Sequence, residues 1–132
     1  MKVTVDTNVL VRAVVRDHPK QARAADKALK GAALIAVSLP CLCEFVWVLR
    51  RVYGLDDAAI AAAIRVLLDA VNVAVNRPAV EAGLAMLDAG GDFADGIMAY
   101  EGRWLGGETF ISFDKKAVAL LSSRGNAARL LS

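Results

Sequence analysis

The chain has 132 residues, one ordinary domain's worth, of which 57% are hydrophobic and 23% charged. Such a chain buries a core readily, which excludes intrinsic disorder. A formal net charge of +2 does not mark a nucleic-acid binder, and no apolar run reaches the roughly 18–20 residues of a membrane-spanning helix.

Lys2 to Asp6 alternates and is β-branched, which predicts a short strand. Val9, Leu10, Ala13 and Val14 recur at helical spacing over Asn8–Arg16. Pro19 opens a second helix, Lys20–Lys30, that Gly31 closes. Leu34–Val37 is continuously apolar, the pattern of a strand covered on both faces. A helix from Pro40 to Tyr53 stops at Gly54, and Asp56 caps the next, Asp57–Ala70. Val73–Val75 is a short strand, Pro78–Ala89 a helix ending at Gly90-Gly91, and Phe93–Leu105 a helix ending at Gly106-Gly107. Thr109–Ser112, Lys115–Ser123 and Ala128–Leu131 complete the series as strand, helix and edge strand. Strands separated by helices at this spacing predict an α/β fold with a parallel sheet, in a single domain over residues 1–132.

The first residues meet Asp6 too early for a signal-peptide apolar region, so a cytoplasmic protein without membrane association is expected. Cys41 and Cys43, two apart on a helix, point to different faces and are expected as reduced thiols. His18 is the single histidine, too few soft ligands for zinc. Basic residues gather at the two ends: seven through Lys30 against Asp6, Asp17 and Asp26, and four after Asp114 with no acid at all. Basic ends around an acidic centre suit a polyanion held near cation-binding carboxylates.

In parallel α/β folds ligands sit beyond the carboxyl ends of the strands. Asp6 ends the first strand, Glu44 lies in the first turns of the helix after the second, Asp92 and Asp95 open the helix after Gly90-Gly91, and Asp114 follows the Thr109–Ser112 strand. Each has a plainer use, since Asp6 and Asp114 suit helix N-caps and Asp92 and Asp95 suit a helix dipole. Glu44 stands apart, flanked by apolar residues with no cation within a turn, where a buried carboxylate is costly unless a cation satisfies it. Several carboxylates gathered closely stay ionised only around a cation. Oxygen ligands alone favour Mg2+ or Mn2+, which polarise a phosphoryl oxygen and activate water for phosphodiester hydrolysis. No G-x-S-x-G is present to support a nucleophilic triad.

Four segments resemble the acidic motifs of PIN-domain ribonucleases, most closely the VapC-type toxins of bacterial toxin–antitoxin pairs. They are Asp6-Thr7-Asn8-Val9-Leu10, Cys43-Glu44-Phe45-Val46-Trp47-Val48-Leu49, Asp92-Phe93-Ala94-Asp95-Gly96-Ile97 and Ser112-Phe113-Asp114-Lys115-Lys116. The resemblance implies a three-layer α/β/α sandwich, a Mg2+- or Mn2+-dependent endoribonuclease, and neutralisation by a small cognate antitoxin. It makes Asp6, Glu44, Asp95 and Asp114 the catalytic, metal-binding acids, with Asp92 auxiliary, and Thr7, Asn8 and Ser112 the residues that orient carboxylates or waters. Gly96 stands where such toxins often carry Ala, and Ser112 where Thr is common.

Other readings fare worse. A haloacid-dehalogenase-type phosphatase needs an acid where Asn8 stands, and a response-regulator receiver needs an Asp where the third strand ends in Asn76. The non-enzymatic alternative is a catalytically silent PIN-like module that binds RNA or a partner. The apolar helices 40–53 and 57–70 exceed what one helix face needs, which predicts a homodimer and an antitoxin groove.

Overall fold

A computed structural model describes residues 1–132, and the chain resolves into two compact units, Met1–Asn76 and Arg77–Ser132.

The first unit runs β1 (Lys2–Thr4), α1 (Thr7–Val15), α2 (Pro19–Gly31), β2 (Leu34–Ala36), α3 (Leu39–Arg51), α4 (Asp57–Asp69) and β3 (Val73–Ala74). Its sheet has the order β1-β2-β3, all parallel, with Val3 opposite Ile35 and Ile35 opposite Val73. Capping side chains start every helix of the unit: Asp6, His18, Ser38 and Asp56 each accept a backbone N–H from the first turn. His18 does so through Nδ1 toward the Gln21 N–H at 3.2 Å, which gives the single histidine a structural use. Helix α1 stops where Arg16 enters the left-handed region at φ 61°, and the Arg16 guanidinium then clasps both oxygens of Asp26 on α2 at 2.9 and 2.8 Å. Leu10, Val11, Leu42, Phe45, Leu49, Ile60 and Ile64 fill the core.

The second unit runs α5 (Arg77–Asp88), α6 (Phe93–Trp104), β4 (Phe110–Ser112), α7 (Lys115–Ser123) and β5 (Ala128–Leu130). Strands β4 and β5 pair in parallel, Ile111 opposite Arg129. Gly90, at φ 86°, turns the chain out of α5 in a conformation that a β-carbon disfavours. Helices α5 and α6 then pack with their backbones unusually close, around Gly83 and Gly96.

All strand pairings are parallel, as expected, and their hydrogen bonds fall in two ladders, of three strands and of two. Strand β1 stops at Thr4, so Asp6 lies past its end as the cap of α1. The apolar surplus of α3 and α4 goes largely into the core: Phe45, Leu49, Ile60 and Ile64 have no exposure, while Trp47 and Val66 face solvent.

Candidate active site

Three of the five candidate acids do cap helices. Asp6 Oδ1 accepts from the Val9 N–H at 3.3 Å and Asp92 Oδ1 from the Ala94 N–H at 2.9 Å. Asp114 Oδ1 accepts from both Lys116 N–H, at 2.9 Å, and Ala117 N–H, at 3.1 Å. Each cap draws on one oxygen of a carboxylate that has two, so capping leaves a ligand atom over. The Ser112 hydroxyl accepts the Asp114 N–H at 2.9 Å, which sets the turn that aims Asp114. Ser112 acts here through the backbone of the acid's own loop.

In the second unit Asp95 sits in the first turn of α6, half-buried. Burial pushes its carboxyl above the ordinary range, and the negative charges of Asp92 and Asp114 push it further. Asp95 therefore feels the charges of both Asp92 and Asp114. Asp92 is the N-cap of α6, in extended backbone, and Asp95 lies three residues on in the first turn, so the pair is not two residues of one helix face as the spacing suggested.

In the first unit the common neighbour of Asp6 and Glu44 is Cys41. Burial raises the Cys41 thiol pKa, the Thr7 hydroxyl opposes that rise, and the charges of Asp6 and Glu44 add to it. Glu44 corrects one expectation. Its side chain is exposed on α3, while Phe45, Val46 and Leu49 turn inward, so water solvates the carboxylate and no desolvation cost calls for a cation. Thr7 is buried, and its hydroxyl is directed at Cys41 Sγ, 3.9 Å away, not at a carboxylate. Asn8 is exposed and lines, with Asp6, Val9 and Arg12, a groove of about 470 Å3 between α1 and α2. Cys41 and Cys43 form no disulfide.

Arg12 went unmarked in the sequence. Its guanidinium is held by Gln21 at 2.6 Å, Tyr53 at 3.0 Å and Asp17 at 3.2 Å, which fixes a cation in the groove that Asp6 lines. Tyr53 lies 41 residues away, so no local pattern announces the network.

No group of three or more His, Cys, Asp or Glu side chains is arranged to hold a metal ion. The donor set nevertheless fits a hard divalent cation in kind, because it is all carboxylate and Asp95 is crowded by like charges that a cation would offset.

A family model for the PIN domain matches residues 3–120 and so runs through both units. The chain belongs to the PIN domain family. This membership carries the three-layer α/β/α class, to which seven helices and parallel strands conform. PIN domains are generally nucleases, so membership supports a nuclease-type fold suited to phosphodiester hydrolysis of nucleic acid. Searches of curated proteins and of solved structures found no match. No helix of this PIN domain is long and apolar enough to cross a membrane.

Proposed function

We propose that this PIN domain is a Mg2+- or Mn2+-dependent endoribonuclease and the toxin component of a toxin–antitoxin pair. Asp6, Glu44, Asp95 and Asp114 form its acidic set, with Asp92 auxiliary. The observation that carries the reading is the crowding of Asp95 by Asp92 and Asp114, two carboxylates that each spend only one oxygen on a helix cap. A half-buried carboxylate whose ionisation is opposed by two neighbouring carboxylates is a poor arrangement for stability alone and a good one for holding a cation. A bound divalent ion supplies an activated water and a polarised phosphoryl oxygen. The protein's own part is to hold the carboxylates: α6 and α7 start on Asp92 and Asp114, and Ser112 sets the turn before Asp114.

The toxin assignment rests on the four ordered motifs and on apolar surface left in water. Trp47, Val66 and Phe113 are all exposed, which suits a homodimer and an antitoxin segment that covers apolar side chains. Asn caps a helix about as well as Asp does. The test is therefore Asp6→Asn and Asp114→Asn, assayed on single-stranded RNA with Mn2+ and with EDTA. Loss of cleavage in folded variants supports the nuclease; metal-independent binding with no cleavage by the unaltered chain would favour the silent module.

A further inference from the structure

Away from the acids, the second unit carries a cavity of about 660 Å3 whose walls include Met86, Tyr100, Arg103, Trp104, Arg124 and Asn126. Its charged lining residues are two arginines, and no carboxylate lines it. Trp104 ends α6 and is 77% exposed, a large aromatic face left to water. Tyr100 lies one turn earlier on the same helix face. Arg103 is held in place: its Nη1 donates to Asn126 Oδ1 at 3.3 Å, and the Asn126 amide donates in turn to the Leu121 carbonyl at 3.3 Å.

We infer that this groove binds single-stranded nucleotides flanking the scissile phosphate, the inference resting on the nuclease reading above. Aromatic rings spaced by one helical turn offer faces for unstacked bases, and guanidinium groups beside them meet phosphates. An acidic peptide would use the arginines but leave the rings idle, and an apolar peptide would leave both arginines unpaired, so RNA accounts for more of the lining. The segment after Asp114 carries Lys115, Lys116 and Arg129 beside the groove's Arg124 and no acid, so positive charge is concentrated in that segment although the unit as a whole has seven acids to six basic residues. Nine residues of one helix separate Asp95 from Trp104, roughly 14 Å at about 1.5 Å per residue, a span of a few nucleotides.

The experiment uses the full chain and a short 5′-labelled single-stranded oligoribonucleotide. Binding is followed by anisotropy in EDTA, and cleavage by initial rates with Mn2+. Trp104→Ala should raise Kd about tenfold, with Trp104→Phe retaining most of the affinity. KM should rise with kcat unchanged. Arg124→Ala should weaken binding and lower the slope of log Kd against log salt by about one. Both side chains are exposed, so folding is spared, and circular dichroism checks this. A chain that cleaves RNA with Kd and KM untouched by Trp104→Ala and Arg124→Ala overturns the inference and leaves the nuclease reading standing. Binding that Trp104→Ala abolishes, in a chain that never cleaves, upholds the groove and sinks the nuclease. A chain that binds no RNA at all overturns the groove.

Discussion

Gly96 on α6 faces Gly83 on α5 so closely that a β-carbon at position 96 would lie 2.9 Å from the Gly83 Cα and run into the Ala82 carbonyl. The obstacle is backbone, which cannot swing aside as a side chain can. Gly96→Ala should therefore cost about 1–3 kcal/mol, the usual range for overpacking, despite alanine's better helix propensity. Gly102, on the same helix, meets nothing within 4 Å, so Gly102→Ala should gain roughly 0.5–1 kcal/mol. Urea midpoints of the two variants test both signs.

The raised Asp95 carboxyl gives a dependence on pH. Between the ordinary carboxylate pKa and the raised one, the unfolded chain has released its proton and the folded chain keeps it, so stability falls as pH rises through that interval. Above it the cost persists. Asp95→Asn should raise the melting temperature by a few degrees at neutral pH, and the gain should vanish in acid, below the ordinary carboxylate range. Thermal melts at the two pH values check it.

A divalent ion bound by the acids would reverse the Asp95 penalty and add its own binding free energy. At about a hundred times its Kd such an ion stabilises by about 2.7 kcal/mol. Mn2+ should accordingly raise the melting temperature of the unaltered chain, EDTA should undo the rise, and Asp95→Asn should blunt it. A melting temperature indifferent to Mn2+ and Mg2+ would count against the metal set.

Asp114 combines a helix cap with a candidate ligand, and two substitutions separate those uses. Asp114→Ala removes the acceptor of two N–H groups and should cost about 1 kcal/mol, together with activity. Asp114→Asn keeps the cap, so it should melt close to the unaltered chain while losing cleavage and metal response. Ser112→Ala should reduce activity less, because Ser112 reaches the acid only through the Asp114 N–H.

Much of this PIN domain was legible in its sequence because the signals were local. Apolar spacing, prolines at helix starts and acids at caps placed every helix and strand within a few residues, α7 among them at Lys115–Ser123. Asp6, Asp92, Asp95 and Asp114 were visible for the same reason, since each stands at the start of a helix, whereas Glu44, in the second turn of α3, stood out only by its apolar neighbours. What the chain order could not carry was burial and reach. Whether Glu44 meets water depends on which face of α3 packs inward, and the company Arg12 keeps depends on Gln21 and Tyr53. Gly96 likewise reads as a weak helix residue until α5 is laid against it. Tertiary packing alone settles such matters, because they turn on ångström-scale distances between residues that sequence spacing does not relate.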